Sequence, residues 1–551
     1  MKTNSREPIY GIGIDTGGTY TDAVLLDLRE HQVISVSKRP TIHHCLERSI
    51  VQALDDIFPV DKTHSVRKIS FSTTLATNAI AEGRISKVGL IVIGQVKPFD
   101  APVVLVRYVE GGHDHRGQEV LPLNIEQIVD AVHSFKGHVD AYAIAASCSI
   151  ENPTHEQVAA KAIELVDRKP VVCSNVVSSK SGIRERAATA VLHASLMPVI
   201  QGFVTQVNQL KKDRFVTADM RIIRGDAAAD NLRQAVVCAA STVASGPAAT
   251  AYFGARSAAA KLAMVVDIGG TTTDITFIKN GKPVISNEGS LIDRWQTHID
   301  AVDMHTVGIG GDSLVRLNRS GRLSVGPLRV QPLAMSQGIP DPASWIGAEN
   351  RSRWIIIVNS NEHDQSAVLD PVVAHLLREK GATPADMIDQ LGMSDFVLDR
   401  RLEDLAFNNQ ISAVGFTPTD ALHVLGKSQL GDAAASIAGA RILADLRGET
   451  IEAFSNAVLD ATHQKIANAI LTYAFKKQTG KSIEAVTSLN QDASLVSCRF
   501  KLDVPIVGIG AAARHLLPEV ADRLHTQAIF PSHFEVGNAL GAIMIALNGE
   551  R

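Results

Sequence analysis

The chain has 551 residues, 45% hydrophobic and 20% charged, which is enough for two or more domains with full cores. Its formal net charge of −4 does not indicate a nucleic-acid partner or an anionic membrane surface. With no run of about 20 apolar residues and no signal-peptide core, we expect a cytoplasmic protein. The five cysteines form no C-x-x-C pair, which is typical of a reducing compartment.

One short motif, D-x-G-G-T-x-T-D, occurs at Asp15–Asp22 and again at Asp267–Asp274. Each copy follows an apolar strand and continues into a second alternating stretch, so both are predicted to lie at the turn of a β-hairpin. A P-loop or a Rossmann unit would open a helix at this point instead. Glycines that alternate with Ile12 and Ile14 indicate that another backbone approaches the first strand closely. The separation of the copies is too large for a solenoid repeat and indicates a duplicated domain.

The residue types of this motif suit a nucleotide phosphate held with Mg²⁺. Glycines let amide N–H groups converge on an anion, and threonine hydroxyls add donors. Asp15 and Asp267 end their strands, where a carboxylate could hold Mg²⁺ directly or through water. One such string alone could equally be a polar turn, but two copies favour a functional site. The predicted ATP contacts are Gly17, Gly18, Thr19, Thr21, Gly269, Gly270, Thr271 and Thr273.

Two further glycine segments are candidates for the same site. Gly508 and Gly510 lie between a buried strand and a helix, where they could face an adenine or a ribose. Such a turn more often marks close packing of a strand on a helix. Gly310 and Gly311 could belong to the nucleotide cleft near the γ-phosphate.

Two groups of polar residues are candidates for the substrate side. Asp303 and His305 alternate on a predicted strand and would share one face, which suits a metal pair or an acid/base pair. A hydrogen-bonded histidine at a capped strand end explains them as well. His113, Asp114 and His115 could form a metal or substrate patch, although a solvent-exposed turn is the favoured interpretation.

A third group combines hydroxyl and amide side chains between a strand and a helix, where they could cap the helix or contact substrate. It comprises Ser72, Thr73, Thr74, Thr77 and Asn78. Thr419 and Asp420 are predicted to cap a later helix, with a smaller chance of facing the active cleft.

In order and spread, these strings resemble the hydantoinase/oxoprolinase family, and specifically its A-type, ATP-dependent subunits. The resemblance implies an α/β fold with duplicated actin/hexokinase/Hsp70-like (ribonuclease H-like) lobes around a nucleotide cleft, and a helical insertion. Asp312 and the sequence after Val325-Gly326-Pro327 depart from the family pattern, which leaves the substrate open. The strings that carry the resemblance include GIDTGGTYTD at 13–22, STTLATNAI at 72–80, TAVLHASLMP at 189–198, DIGGTTTD at 267–274, DMHTVGIGGDS at 303–313 and EVGNALGA at 535–542.

The resemblance also implies an activity. Family members use ATP to open cyclic amides such as hydantoins and 5-oxoproline, and relatives are ATP-using subunits of ketone carboxylases. We expect an ATP-dependent hydrolase subunit that activates a cyclic amide by phosphorylating the carbonyl oxygen, with Asp15, Asp267, Asp303 and His305 as catalytic residues. The alternatives are a ketone carboxylase subunit, a small-molecule kinase and a non-catalytic, ATP-gated regulatory subunit.

The expected organisation is an N-terminal lobe at 1–185 and a main lobe at 186–551. The main lobe would contain a helical insertion at about 360–500 and C-terminal elements on the adenine side. Because many relatives work with a B-type subunit, a homo- or hetero-oligomer is expected, with no nucleic-acid or membrane partner.

Overall fold

The computed structural model describes residues 8–18, 20–42, 45–58, 60–94, 96–258, 260–286, 289–292, 295–358, 370–407, 410–429, 431–483 and 499–548. Its strands are β1 (Tyr10–Thr16), β2 (Tyr20–Asp27), β3 (Gln32–Pro40), β4 (Val66–Thr73), β5 (Val88–Ile93), β6 (Leu105–Val109), β7 (Ala141–Ala146), β8 (Val171–Cys173), β9 (Asp219–Ile223), β10 (Ala229–Asn231), β11 (Leu262–Ile268), β12 (Thr273–Lys279), β13 (Lys282–Pro283), β14 (Leu291–Ile292), β15 (Trp295–Gln296), β16 (Met304–Val307), β17 (Ser313–Leu317), β18 (Leu323–Arg329), β19 (Gln331–Pro332), β20 (Arg353–Ile357), β21 (Ile411–Gly415), β22 (Ile506–Ile509) and β23 (Ala528–Ile529).

The helices are α1 (Leu46–Ile57), α2 (Leu75–Ala81), α3 (Ile125–Phe135), α4 (Thr154–Val166), α5 (Ser174–Val177), α6 (Ile183–Arg214), α7 (Leu232–Val237), α8 (Ser245–Ser257), α9 (Pro371–Glu379), α10 (Pro384–Leu391), α11 (Asp395–Phe407), α12 (Pro418–Val424), α13 (Ala433–Asp445), α14 (Ile451–Thr479), α15 (Ala513–Arg523) and α16 (Gly537–Asn548). Helices and sheets are interleaved along the chain, so the predicted α/β class is confirmed.

Contacts divide the chain into two compact units. The first comprises Met1–Arg256, Gly281–Asp303 and Val536–Arg551, and the second comprises Ser257–Asn280 and Met304–Glu535. This grouping differs from the predicted division at residue 185, because α6, which begins at Ile183, packs against β5 and β7 within the first unit.

The first sheet of the first unit runs in the order β10, β9, β4, β1, β2, β3. β1 and β2 form an antiparallel hairpin, and β4 lies parallel to β1 on its other side. Ile12 and Ile14 of β1 are fully buried. A Cβ on Gly13 would collide with the carbonyl oxygen of Ala539 in α16. The predicted close approach of another backbone to β1 is therefore confirmed.

The second sheet of the first unit runs in the order β6, β5, β7, β8, and all its strands are parallel. Parallel strands need crossover connections, which here include α3 and α4. Asn124 caps α3 as predicted, since its side chain accepts a hydrogen bond from the amide of Gln127. The ring of Phe135, the last residue of α3, stacks on that of Tyr142 in β7 with centroids 6.3 Å apart.

In the second unit, β12, β11, β22 and β23 lie side by side in this order, and β16 pairs with β12. β11 and β12 form an antiparallel hairpin, and β22 is parallel to β11. In the predicted helical insertion at about 360–500, the described residues form α9 to α14, with β21 between α11 and α12. Phe416 and Phe454 pack in the core that α12, α13 and α14 share.

Among the helices that the structure describes, α6 is long and apolar enough to cross a membrane by length and composition alone. Its most apolar stretch is 72% buried against the rest of the protein. A helix buried to this extent belongs to a protein core, and Leu192 and Phe203 of α6 indeed pack in the interior of the first unit.

Candidate functional site

The two copies of the repeated motif have the same backbone pairing. Asp15 pairs with Asp22 across the β1–β2 hairpin, and Asp267 pairs with Asp274 across the β11–β12 hairpin. In each case a parallel strand, β4 or β22, flanks the first strand of the hairpin. The prediction that both copies lie at hairpin turns is confirmed.

Asp15 lies at the end of β1 and is only 4% exposed. The hydroxyl of Ser72 donates to its Oδ1 at 2.5 Å, and Nδ2 of Asn538 donates to its Oδ2 at 3.2 Å. Burial raises the pKa of Asp15, while these two hydrogen bonds and the charge of Lys38 act in the opposite direction. A buried carboxylate held by two neutral donors is suited to a bound cation.

Asp22 lies opposite Asp15 and has a different partner. Lys38 donates to its two carboxylate oxygens at 2.9 and 2.8 Å. Burial nevertheless raises the pKa of Asp22 to about 6. The ammonium of Lys38 thus neutralises Asp22, which leaves Asp15 as the carboxylate of this hairpin that is held by neutral groups.

The turn of the β1–β2 hairpin, called the first turn below, is stabilised by threonine hydroxyls. Gly17 donates its amide to the carbonyl of Tyr20 at 3.0 Å, and Thr41 donates to the carbonyl of Gly17 at 2.9 Å. Thr21 is fully buried, and its hydroxyl lies 3.0 Å from that of Thr41. Since Thr41 has already used its proton, Thr21 donates to it. The structure therefore gives Thr21 a structural role in place of the predicted phosphate contact.

Gly18 and Thr19 are the other two predicted phosphate contacts in the first turn. Gly18 is exposed, and a Cβ there would meet only Nδ2 of Asn78, 3.9 Å away. The space beside Gly18 is thus open for a ligand. Thr19 lies outside the described residues.

The turn of the β11–β12 hairpin, called the second turn below, has backbone amides without an acceptor among the described residues. Gly269 donates its amide to the carbonyl of Thr272 at 3.1 Å, which closes the turn. The amides of Gly270 and Thr271 have no acceptor among the residues that the structure describes. Thr273 is fully buried and donates to the carbonyl of Ile309 at 2.7 Å, so its predicted phosphate contact is replaced by a structural one. The free amides are what an anion site of this kind requires.

Gly310 and Gly311 lie directly against the second turn, as their predicted membership of the same site requires. The amide of Gly311 donates to the carbonyl of Gly269 at 3.1 Å. A Cβ on Gly310 would lie 2.5 Å from the carbonyl oxygen of Gly270. Thr419 donates from its hydroxyl to the carbonyl of Gly311 at 2.8 Å, which links α12 to the same turn.

Asp312, the residue that departs from the family pattern, also contacts this turn. Its amide donates to the carbonyl of Gly270 at 2.8 Å, and a Cβ on Gly270 would collide with its carboxylate. Burial raises the pKa of Asp312, although Arg329 lies 3.4 Å from Oδ2. The second turn therefore has a carboxylate on its edge that the prediction did not include.

The two glycines of the third predicted segment have different roles. A Cβ on Gly510 would lie 2.5 Å from Oδ1 of Asp267, and Gly510 has a φ of 90°. Gly510 therefore belongs to the surroundings of Asp267 and needs to be glycine. Gly508 is buried within β22, where a Cβ would meet Phe530 and Leu517. Gly508 is therefore explained by close packing of a strand on its neighbours, which the sequence analysis gave as the alternative to an adenine contact.

Asp303 and His305 do not share one strand, contrary to the prediction. Asp303 precedes β16, which begins at Met304, and belongs to the first unit. His305 is on β16, and its ring stacks on Tyr473 with centroids 6.1 Å apart. Burial lowers the pKa of His305. Within the described ranges, no group of three or more His, Cys, Asp and Glu side chains could hold a metal ion.

His113 is not in an exposed turn, contrary to the favoured interpretation. It is 6% exposed and packs against His155 with ring centroids 4.1 Å apart and ring planes tilted by 44°. His155 accepts a hydrogen bond from the amide of Gly112 and lies 2.9 Å from a carboxylate oxygen of Glu119. This cluster ties the loop after β6 to the start of α4, and burial lowers the pKa of His113.

The sequence interpretation missed Asn538 and Thr250 as members of the Asp15 site. Asn538 occurred only within the resemblance string at 535–542, and 523 residues separate it from Asp15. Ser72 was left open between capping a helix and contacting substrate; the structure shows that its hydroxyl donates to Asp15 and that the helix after β4 has Thr74 at its N-cap. Only a comparison of whole chains could have linked these residues, because no local spacing does.

Comparison with known proteins identifies the family. Residues 11–166 match the N-terminal region of the hydantoinase/oxoprolinase family, and residues 186–547 match the hydantoinase/oxoprolinase region itself. The chain belongs to the hydantoinase/oxoprolinase family. The predicted resemblance is therefore confirmed.

Two curated relatives of this family member are subunits of larger enzymes. The caprolactamase alpha subunit of Pseudomonas jessenii is 28% identical over 356 residues, covering 58% of this chain and 50% of the relative. The acetophenone carboxylase gamma subunit of Aromatoleum aromaticum is 28% identical over 374 residues, covering 59% and 50%. The chain thus spans about half the length of the curated relatives it matches.

Two solved structures show the fold of this hydantoinase/oxoprolinase chain. Nucleotide-free acetone carboxylase matches with a TM-score of 0.65 at 17% identity, covering 97% of this chain and 70% of that one. The ATP-dependent caprolactamase of Pseudomonas jessenii matches with a TM-score of 0.62 at 21% identity, with the same two coverages of 97% and 70%.

Each of the two turns, taken by itself, has groups that fit a nucleotide phosphate or its Mg²⁺ ion. The second turn offers the free amides of Gly270 and Thr271, and the first has open space beside Gly18. Asp15 and Asp267 end the strands that lead into the turns. A Mg²⁺ ion bound to phosphates needs only one or two protein carboxylates, so the lack of a larger ligand cluster among the described residues does not argue against this fit.

Proposed function

We propose that this chain is the ATP-binding subunit of an enzyme that uses ATP to hydrolyse a cyclic amide. The observation that carries the proposal is the pair of hairpins with identical register, each ending its first strand in an aspartate beside a glycine turn. We also propose that the two hairpins belong to duplicated lobes of the actin-like type. The membership of the hydantoinase/oxoprolinase family supports both statements.

The proposed chemistry solves a specific problem. An amide carbonyl is a poor electrophile, and bound ATP would supply the phosphoryl group that activates its oxygen. Water then adds to the carbonyl carbon, and the ring C–N bond breaks to give an amine and an acyl phosphate. A second water hydrolyses the acyl phosphate, so that ADP, phosphate and the ring-opened product are released. Orientation and charge stabilisation account for most of such catalysis. Here the free amides of Gly270 and Thr271 would hold phosphate oxygens, and Asp15 and Asp267 are each candidates to hold Mg²⁺.

A second candidate function is the ATP-using subunit of a ketone carboxylase. The acetophenone carboxylase gamma subunit is as similar in sequence as the caprolactamase alpha subunit, at 28% identity each. Both relatives are named as subunits, which supports the proposal that this chain also works with a partner. The carboxylase would consume bicarbonate and a ketone, so the two candidates differ in what must be added to stimulate ATP hydrolysis.

The test has two stages. Calorimetry first measures binding of ATP with Mg²⁺ to the purified chain. ATP hydrolysis is then followed with a lactam, hydantoin or 5-oxoproline, and separately with acetophenone and bicarbonate, each with and without a co-purifying partner. One phosphate released per ring opened would support the amide hydrolase, whereas bicarbonate-dependent turnover would support the carboxylase. The absence of any ATP binding would refute both.

Asp267→Asn tests the metal role directly. If the Asp267 carboxylate organises Mg²⁺, the variant should lose ATP hydrolysis while its unfolding transition stays near that of the wild type. Asp503→Asn is a matched control, because Asp503 precedes β22 with a side chain that is 81% exposed. Full ATP hydrolysis by Asp267→Asn would exclude the proposed role of Asp267.

A further inference from the structure

The carboxylate of Asp15 is held by residues from two separate segments of the first unit, and a residue of a third segment contacts one of them. Ser72 lies next to Asp15 in the parallel register of β4 and β1, and it is fully buried. Asn538 lies in the first turn of α16. Thr250 of α8 lies behind Asn538 and contacts its side-chain oxygen. These contacts converge on a residue that the proposed function assigns to Mg²⁺.

The orientation of the Asn538 amide is determined by its two neighbours. An ionised carboxylate only accepts hydrogen bonds, so the Asn538 nitrogen must face Asp15. Its oxygen then faces the hydroxyl of Thr250, which can donate to it. The same hydroxyl lies 3.2 Å from the carbonyl oxygen of Gly246, one turn earlier in α8. A rotated amide would place its oxygen against the carboxylate of Asp15, which is unfavourable whether Thr250 gives its single proton to Asn538 or to Gly246.

The contacts restrict Asp15 without using all its acceptor capacity. Each carboxylate oxygen receives one described hydrogen bond, from Ser72 on Oδ1 and from Asn538 on Oδ2. A carboxylate has about four lone-pair sites, so acceptor capacity remains on both oxygens. With both oxygens held, the carboxylate plane cannot rotate freely. This is the arrangement that outer ligands give to carboxylates that bind metal ions.

We propose that Ser72 and Asn538 are positioning residues that orient the Asp15 carboxylate toward ATP-bound Mg²⁺. This inference rests on the proposed function, because it assumes that the chain binds ATP with Mg²⁺. It goes beyond that function by assigning roles to two residues that do not belong to the repeated motif.

Two variants and two matched controls test the proposal. Ser72→Ala removes the donor to Oδ1, and Ser70→Ala is its control, since Ser70 is equally buried two residues earlier in β4. The Ser70 hydroxyl has no partner among the described residues. Asn538→Ala removes the donor to Oδ2, and Asn548→Ala changes an exposed asparagine at the other end of α16.

The measurements are ATP affinity by calorimetry, with Mg²⁺ and with EDTA, and thermal unfolding without ligand. We expect Ser72→Ala and Asn538→Ala to weaken binding of ATP with Mg²⁺ by about 10- to 100-fold, the usual effect of losing a hydrogen bond to a charged group. Their affinity for ATP in EDTA should match the wild type. In turnover assays kcat should fall while the KM of the organic substrate is unchanged. The two controls should match the wild type throughout.

The outcomes separate the inference from the proposed function. If Ser72→Ala binds ATP as the Ser70→Ala control does, or weakens binding equally with Mg²⁺ and with EDTA, the positioning role is wrong. If the wild type binds no ATP in either condition, the proposed function itself fails. Should Ser72→Ala not fold, Ser72→Cys keeps the volume of the side chain and weakens the donor, so it serves in the same comparison.

Discussion

Buried His193 should make the folded state sensitive to mild acid. Its side chain is 1% exposed in α6, and its Nδ1 accepts a hydrogen bond from the amide of Ala240 at 3.1 Å. Burial, together with the charge of Arg224, lowers the pKa of His193 to about 3. The folded state therefore keeps this imidazole neutral at pH values where the unfolded chain protonates it.

The sign and size of the effect come from comparing proton binding in the two states. Below a pH of about 6.5 the unfolded chain binds a proton that the folded chain does not, so stability falls by about 1.4 kcal/mol per pH unit. The fall ends below the folded pKa of about 3. Between pH 7 and pH 5 it amounts to about 2 kcal/mol, and any folded pKa below about 4 gives the same figure.

The assay is denaturant unfolding at pH 7 and pH 5 for the wild type and His193→Asn. Asparagine has an acceptor oxygen near the position of Nδ1 but does not titrate. Between pH 7 and pH 5, the free energy of unfolding of His193→Asn should fall by about 2 kcal/mol less than that of the wild type. His133→Asn, at an exposed position of α3, is the control and should behave as the wild type does. Equal losses in the wild type and His193→Asn would refute the argument.

Three further predictions follow from the packing. Asp420 is a fully buried carboxylate that accepts hydrogen bonds from three backbone amides and two hydroxyls. Asp420→Ala should therefore lower the free energy of unfolding, measured in denaturant titrations, by about 3–5 kcal/mol. Gly13→Ala should lower the free energy of unfolding by about 3 kcal/mol in the same assay, because its Cβ would collide with α16. Gly202→Ala on α6, where a Cβ has open space, should instead raise the free energy of unfolding by about 0.5–1 kcal/mol. Gly310→Ala should weaken ATP binding at least tenfold in calorimetry, because its Cβ would press on carbonyl oxygens of the second turn, and unchanged affinity would contradict the assignment.

The parts of the fold that the sequence predicted correctly depend on local patterns. The alternation of apolar residues on both sides of the glycines predicts a hairpin, and both hairpins are present. The glycines of β1 indicated a close backbone contact, and α16 makes that contact. The cap of α12 was predicted only in part: Asp420 belongs to it, but the N-cap residue is Thr417 and not Thr419, and the helix begins at Pro418.

The parts that failed depend on direction and on distant segments. Composition shows that Thr21 and Thr273 can donate hydrogen bonds, but only the fold shows that both point into the protein. Asn538 reaches Asp15 from the last helix, and no periodicity connects positions so far apart. His113 was interpreted as an exposed loop residue because its neighbours are polar, yet its ring packs on His155.

The two copies of the motif also show what sequence identity leaves open. Their backbones pair in the same way, but their aspartates have different surroundings. Asp15 is almost fully buried and held by Ser72 and Asn538, whereas Asp267 is partly exposed and lies against Gly510. Asp15→Asn should therefore affect folding as well as ATP use, because the new amide would place an N–H against one of the two donors that now face a carboxylate. Asp267→Asn should affect ATP use with a smaller effect on folding, because Asp267 is partly exposed. The two aspartates are alike in the motif, and the residues that surround them decide how far their roles differ.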